Sequence, residues 1–252
     1  MINTLVTGSG GFIGSCLVAK LGLTHMKPSC LTHKDIIHWR SCDTDKLFFL
    51  STYGNMAHHS VHKMMVQANV SDLISVLSGF TGWICYMSSS SVTLPVQTPY
   101  SRTKRAAEEI LQALPELKSC IVRPYSVTGV GEQKEHLIPT LIRSCMEGEE
   151  MPFDPYPVHD FIDVEDVVEG LLWLSERKVS GIHEFGSGIG CTNQAVKELV
   201  EEATGKKANV KESKALRPYD SPNWFCRNPS FKPRKPLVTS IQEMVEAYRN
   251  EH

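Results

Sequence analysis

The stretch Thr7-Gly8-Ser9-Gly10-Gly11-Phe12-Ile13-Gly14 places Gly8, Gly11 and Gly14 at intervals of three. Upstream, residues 2–6 (Ile-Asn-Thr-Leu-Val) read as a short buried strand. Downstream, Phe12, Ile13, Cys16, Leu17 and Leu21 recur at helical spacing. The order is therefore strand, glycine turn, helix. In such a turn Gly8 lets the chain leave the strand sharply, Gly11 admits a pyrophosphate close to the backbone, and Gly14 lets the helix pack close to the sheet. Unpaired N–H groups at the helix start, with the helix dipole, favour a phosphate there. This context separates a dinucleotide-binding turn from a structural one. The reading predicts that Gly8, Ser9, Gly10, Gly11, Phe12, Ile13 and Gly14 hold a nicotinamide dinucleotide.

Outward from this turn, strands and helices alternate. A weak strand is expected near 29–32, clearer ones at 46–51 and 83–87, and a short one at 120–123 that Pro124 closes. Helices are expected at 62–77 and 100–114. Alternation of this kind predicts an α/β protein with a doubly wound parallel sheet of Rossmann type. Beyond residue 125 the pattern loosens. Helices are expected at 137–146, 167–176, 193–204 and 240–248, strands at 161–164 and 181–185, and a loop over 217–236. The dinucleotide-binding domain is expected over 1–124 and roughly 160–180. A small C-terminal substrate-binding lobe would take roughly 125–159 and 181–252.

Bulk properties fit that picture. The 252 residues are 41% apolar and 21% charged, with a formal net charge of -2 and a pI near 6.6. This is the balance of an ordinary globular protein, without the basic surface that a nucleic-acid or membrane partner calls for. No apolar run is long enough to span a bilayer, and the N-terminus lacks a basic leader. A cytoplasmic location is expected. The eight cysteines, at 16, 30, 42, 85, 120, 145, 191 and 226, contain no Cys-x-x-Cys pair and read as free thiols.

The second chemical signal is Tyr100-Ser101-Arg102-Thr103-Lys104. Tyr100 and Lys104 are four apart at a helix start and share a face. A tyrosine with its ordinary pKa near ~10 is a poor base at neutral pH. A neighbouring ammonium favours the phenolate, which can then exchange a proton with a hydroxyl or ketone.

The glycine spacing and the Tyr-x-x-x-Lys pair together resemble the short-chain dehydrogenase/reductase superfamily. The Thr-Gly-x-x-Gly-Phe-Ile-Gly form is similar to its extended branch, the NAD-dependent epimerases, dehydratases and reductases of nucleotide sugars. That resemblance implies a third catalytic residue at the end of the preceding strand. Within Met87-Ser88-Ser89-Ser90-Ser91-Val92 the register on Val92 makes it Ser89, with Ser90 as the alternative. Phe48-Phe49-Leu50-Ser51-Thr52 resembles the strand end beside the cofactor, so Leu50, Ser51 and Thr52 join the cofactor set, as do Lys104 and Pro124. Asn69 matches a family asparagine that supports the active-site architecture. Arg123-Pro124-Tyr125-Ser126-Val127-Thr128-Gly129 looks like the family's Arg-Pro-x-x-x-Tyr-Gly segment, with Thr128 in place of Tyr. His159-Asp160-Phe161-Ile162-Asp163-Val164-Glu165-Asp166-Val167 resembles its Arg-Asp-Phe-Ile-His-Val-x-Asp-Val segment. The substrate residues this implies are Ser90, Ser126, His159 and Arg217. Family members often form dimers through the two helices that flank the active site, which implies a homodimer through 62–77 and 100–114.

Three departures stand out. Only eleven positions separate Ser89 from Tyr100, a shorter loop than the family's. His159 replaces an arginine that holds the substrate diphosphate, and an imidazole offers fewer donors than a guanidinium. Between 24 and 46 there is room for at most one and a half strand–helix units. The acidic residue that would bind the adenosine ribose is replaced by His33-Lys34, followed by Asp35. A basic pair suits the 2′-phosphate of NADP, or is a plain exposed turn. The cofactor is thus NAD or NADP.

His58, His59 and His62 lack a neighbouring carboxylate or cysteine, so no metal is expected. Asp163, Glu165 and Asp166 are expected to cap the helix that follows. The leading function is epimerisation of a nucleotide-activated sugar through a transient keto intermediate. The alternatives are an NAD(P)H-dependent ketoreductase of a nucleotide 4-keto sugar, and a cofactor-binding protein without catalysis. A dehydratase is disfavoured, because family dehydratases carry Asp-Glu where this chain has Ser90-Ser91.

Overall fold

The computed structural model describes residues 3–23, 29–31, 36, 44–55, 58–213 and 224–252. The first elements are β1 (Thr4–Thr7), α1 (Phe12–Gly22), β2 (Ser29–Leu31) and β3 (Lys46–Phe49). The helical run α2 follows, built from His62–Val66, a π-helical turn Gln67–Ser71, and Asp72–Leu77. Then come β4 (Trp83–Met87), a 3-10 turn at Ser90–Thr93, α3 (Pro99–Gln112) and β5 (Lys118–Pro124). The rest comprises β6 (Ser126–Thr128), α4 (Leu137–Glu147), β7 (Met151–Phe153), β8 (Val158–Asp163), α5 (Val164–Arg177), β9 (Gly181–Phe185), β10 (Gly190–Thr192), α6 (Asn193–Thr204), β11 (Val210–Glu212) and α7 (Leu237–Glu251).

The main sheet has six strands in the order β2-β1-β3-β4-β5-β9. Pairing is parallel from β2 through β5, with Leu5 opposite both Ser29 and Leu47. The winding reverses at β1, since β2 lies on one side and β3 on the other. This is the doubly wound α/β topology, and its switch point lies between the carboxyl ends of β1 and β3, where ligands bind in such sheets. One strand, β2, lies beyond β1 among the described residues, as the short 24–46 span requires.

Parallel strands need apolar side chains on both faces, and β1, β3 and β4 are buried at every position. One face, Leu5, Leu47, Phe49, Ile84, Tyr86 and Ile121, packs on Leu73 and Val76 of α2 and on Ala107 and Leu111 of α3. On the alternate parity, Cys85 and Cys120 are register partners across β4 and β5, both buried thiols.

The chain divides into two compact units, one of 1–124 with 168–184, the other of 125–167 with 185–252. The crossing point differs from the expected one near 160 for a physical reason. β8 pairs with β6 and β10 in a three-stranded sheet, which ties residues 158–163 to the second unit. The second unit has its own core, with Ile138, Leu141 and Ile142 of α4, Val196 and Val200 of α6 and Ile241 and Val245 of α7. No helix among the described residues is long and apolar enough to cross a membrane.

Asp163 caps α5 as expected, its Oδ1 accepting from the Glu165 N–H at 2.8 Å. Asp166 does other work. Its two carboxylate oxygens accept from the backbone N–H groups of Arg234 and Lys235, at 2.9 and 2.8 Å, and pin the chain that leads into α7.

Candidate active site

Gly8 has φ +68, a left-handed conformation that side chains rarely adopt. A Cβ there would lie 2.7 Å from the Ser51 nitrogen and 2.8 Å from the Leu50 carbonyl carbon. Gly8 thus lets the turn lie directly on the end of β3, at the switch point. A Cβ on Gly14 would stand 2.0 Å from the Gly8 carbonyl oxygen, so Gly14 packs α1 against the turn, not against the sheet as expected. The same oxygen accepts from the Gly11 N–H at 3.0 Å. Gly11 caps α1 with no side-chain hydrogen bond, and the first turn carries no acidic residue. These features suit a dinucleotide: a close backbone approach, and a helix start with no acidic side chain and no side-chain cap. Leu50 and Ser51 are joined to β1 through their N–H groups, which reach the Thr7 carbonyl and Thr7 hydroxyl, both at 3.3 Å.

From Thr52 the chain enters a polar network centred on Asn69. This residue is fully buried within the π-helical turn of α2, a distortion that recurs at functional sites. Its Oδ1 accepts from the Thr52 hydroxyl at 3.1 Å and the Tyr53 N–H at 3.0 Å. Its Nδ2 donates to the Tyr53 carbonyl at 2.8 Å and the Thr103 hydroxyl at 2.9 Å. The amide is therefore saturated, and it locks the loop after β3 to both α2 and α3.

Helix α3 begins where Thr98 accepts from the Ser101 N–H at 3.1 Å, with Pro99 in the first turn. That start sets Tyr100 half-buried in the first turn and Lys104 one turn on. The hydroxyls of Thr52 and Ser89 face the Tyr100 phenol. Ser89 lies two residues past β4 and caps the 3-10 turn, its Oγ accepting from the Ser91 N–H at 3.2 Å. Of the two serine alternatives, Ser89 is the one against the phenol. Ser90 is buried, and its hydroxyl has no partner among the described residues.

The electrostatics differ from the sequence expectation. Burial pushes the Tyr100 phenol above its ordinary value, while the Thr52 and Ser89 hydroxyls pull it down. Lys104 is 1% exposed and donates from Nζ to the Met87 carbonyl at 2.8 Å. Nζ lies 4.9 Å from the centre of the Tyr86 ring and 5.9 Å from that of Tyr100. Burial brings the ammonium down to about 7, and the Glu108 carboxylate opposes that shift. Both groups are short of water, so desolvation outweighs the mutual help expected of them.

Glu108 is buried, and composition gave no hint of its role. Its Oε1 accepts from the Ser88 hydroxyl at 2.5 Å and from Arg123 Nε at 2.9 Å, and its Oε2 from Arg123 Nη2 at 2.5 Å. This bidentate pair ties the end of β5 to α3 beneath Lys104. The signal that finds it is a Glu four residues after the Lys, on the same helical face. Pro124 closes β5 as expected, and is buried.

Ser126 and His159 lie in the second unit, on β6 and β8. The His159 ring meets the rings of Phe161 and Trp224, each at 6.0 Å between centres. Tyr125 approaches Trp224 at 5.8 Å. Trp224 was not singled out from the sequence, and its buried Nε1 has no partner among the described residues. His33, Lys34 and Arg217 lie outside the described residues. Among the described residues no group of three His, Cys, Asp or Glu could hold a metal.

Residues 64–185 match the model of the NAD dependent epimerase/dehydratase family. No curated protein sequence matches the chain. Many solved structures share the fold. MoeE5 in complex with UDP-glucuronic acid and NAD is 22% identical, with a TM-score of 0.89 over 99% of this chain and 100% of the other. The UDP-N-acetylglucosamine 4-epimerase from Methanobrevibacter ruminantium M1 is 19% identical, with a TM-score of 0.87 over 100% and 99%. RMD from Pseudomonas aeruginosa, complexed with NADPH, is 18% identical, with a TM-score of 0.81 over the whole of both chains. The glycine turn at the switch point and the Ser–Tyr–Lys grouping thus accompany a match over residues 64–185 to the NAD dependent epimerase/dehydratase family model, on a fold shared with MoeE5 and the 4-epimerase.

Proposed function

We propose that the chain is an NAD(P)-dependent epimerase of a nucleotide-activated sugar, working through a transient keto intermediate. One observation carries this reading. The hydroxyls of Ser89, Thr52 and Tyr100 meet beside a buried Lys104, on a loop that Gly8 joins to the glycine turn. The ligands of the similar structures, UDP-glucuronic acid with NAD in one and NADPH in another, support the substrate and cofactor classes.

Residues 8–14, Leu50, Ser51, Thr52, Lys104 and Pro124 would hold the cofactor, with residues 33–34 deciding between NAD and NADP. A bound nicotinamide supplies a hydride acceptor that can return the hydride to the sugar's other face. Tyr100 takes the proton of the reacting sugar hydroxyl and gives it back. Ser89 donates to the reacting oxygen and holds it at the phenol. The charged fraction of Lys104, near half at neutral pH from its value of about 7, favours the phenolate that burial alone disfavours. Ser90, Ser126, His159 and Arg217 would position the nucleotide sugar.

Ser90 and Ser91 offer no acid–base pair of the kind a dehydratase needs. A ketoreductase of a nucleotide 4-keto sugar is the second reading, because it uses the same residues once, in the reducing direction, and the NADPH-bound neighbour supports it. A homodimer through α2 and α3 would cover Met64, Val66 and Ile74, which are 50%, 48% and 51% exposed. A reducing cytoplasm suits the free thiols Cys85 and Cys120.

Two measurements test the proposal. Denaturing the purified protein and quantifying released nicotinamide should give near-stoichiometric NAD for an epimerase, which recycles its cofactor. An empty protein that binds NADPH reversibly points to the ketoreductase. With UDP-glucose and related UDP-sugars, Tyr100→Phe should lower kcat by roughly 10²- to 10⁴-fold. The proposal fails if none of the four nicotinamide forms is retained or bound, or if turnover survives that substitution.

A further inference from the structure

The loop between β3 and α2 holds a histidine that the mechanism above does not use. The His59 Nδ1 accepts a hydrogen bond from the Gly54 N–H at 3.1 Å. Its ring stacks on Tyr53 at 4.1 Å between centres, tilted by 24°. The His58 ring lies edge-on to it at 4.5 Å between centres. Gly54 in turn lies beside the Tyr100 ring, since a Cβ built on it would lie 3.2 Å from Tyr100 Cδ2 and 3.0 Å from the Met65 side chain. Gly54 has φ +110, a conformation held by its surroundings. Tyr53 is fixed by Asn69 at both its N–H and its carbonyl. One side of this turn is therefore anchored by an amide that does not titrate, the other by an imidazole that does.

We infer that His59 is a positioning residue that acts as a proton-sensitive clasp: its neutral ring holds Gly54 against the Tyr100 phenol, and its protonated ring releases it. An imidazole accepts at Nδ1 only when that nitrogen carries no proton. Protonation turns the acceptor into a second donor facing the Gly54 N–H, and the bond is replaced by repulsion. Burial first, and then the positive charge that His58 can carry, hold His59 below its ordinary value. The titratable groups around the ring are His58 and Tyr53 on its own loop and Tyr100 across Gly54, and no carboxylate among the described residues pairs with it. The clasp is thus closed at neutral pH and opens on acidification below the usual histidine range.

The effect on turnover rests on the proposed role of Tyr100, so the test carries a readout that needs no turnover. In labelled wild-type protein, the His59 ring and the Gly54 amide are followed by NMR between pH 8 and pH 5. They should titrate with one shared midpoint below that of a free histidine. In His59→Asn the side-chain oxygen can take the place of Nδ1 without titrating, so the Gly54 amide should lose its pH dependence. His59→Phe keeps the stack and loses the acceptor. With UDP-glucose, the kcat of wild type should fall on acidification with that midpoint. His59→Asn should keep the neutral-pH rate and lose that acid limb, and His59→Phe should be down about tenfold at every pH. Independent midpoints for Gly54 and His59 overturn the clasp, as does an unchanged acid limb in His59→Asn. A shared midpoint in a protein that turns nothing over keeps the clasp and sinks the proposed function instead.

Discussion

Replacing Gly14 with alanine tests the glycine turn most directly. The added Cβ would stand 2.0 Å from the Gly8 carbonyl oxygen and 2.8 Å from its carbon, against an ordinary contact of 3.4 Å or more. Both partners are backbone, so no side chain can swing away. Helix α1 must retreat by more than an ångström, or the Gly8 peptide must turn and drop its hydrogen bond from Gly11. Overpacking of this kind costs about 3 kcal/mol. For a domain of this size that is a fall in Tm of roughly 6–12 °C. The internal control is Gly10, whose added Cβ would meet nothing within 4 Å and whose φ is not positive. Gly10→Ala should melt with wild type. Gly8→Ala, with φ +68 and backbone atoms at 2.7 and 2.8 Å, should be at least as damaging as Gly14→Ala. Calorimetry on the three variants, with an NADH fluorescence titration on each, reads both folding and the cradle. A Gly14→Ala protein that melts within about 2 °C of wild type would refute the steric account, as would a Gly10→Ala protein that falls as far.

Three further outcomes follow from the buried polar groups. Lys104 titrates at about 7 when folded, against 10.5 when unfolded, so its burial costs most at and below pH 7 and the cost shrinks as pH rises towards 10.5. Lys104→Met should therefore be more stable than wild type at pH 7, by a margin that narrows by ~2 kcal/mol at pH 9 in urea unfolding. It should also be inactive; a constant margin would contradict the assignment. Asn69→Ala strips four hydrogen bonds from Thr52, Tyr53 and Thr103, and urea unfolding should show a loss of about 2–3 kcal/mol together with a fall in kcat. Glu108→Leu takes the carboxylate from the partly buried Arg123 guanidinium and from the Ser88 hydroxyl, and should cost ~2–3 kcal/mol. Adding Arg123→Met should restore most of that, and a double variant as unstable as the single one would count against the pair.

Much of the first unit could be read from the chain. Its helices and strands are long enough for periodicity to show, and β4 falls where the apolar run 83–87 put it. The second unit was less legible. β6, β7, β10 and β11 span three residues each, too few for any period, and β7 pairs with β11 across some sixty residues of chain. Such strands exist only because a distant segment completes their hydrogen bonds. The same reason hid the role of Asp166, whose partners are the backbone groups of Arg234 and Lys235.

For the site, local sequence determined what depends on neighbours along the chain. The glycine spacing dictates a tight turn between strand and helix, and the four-residue interval puts Tyr100 and Lys104 on one face of α3. Tertiary structure decided what depends on burial and on contacts between distant segments. It faced the Ser89 hydroxyl to the phenol and buried that of Ser90. It moved the work of Gly14 from the sheet to the Gly8 carbonyl. It also set Tyr100 above and Lys104 below their ordinary proton affinities, because desolvation is a property of the packed interior and no spacing in the chain encodes it.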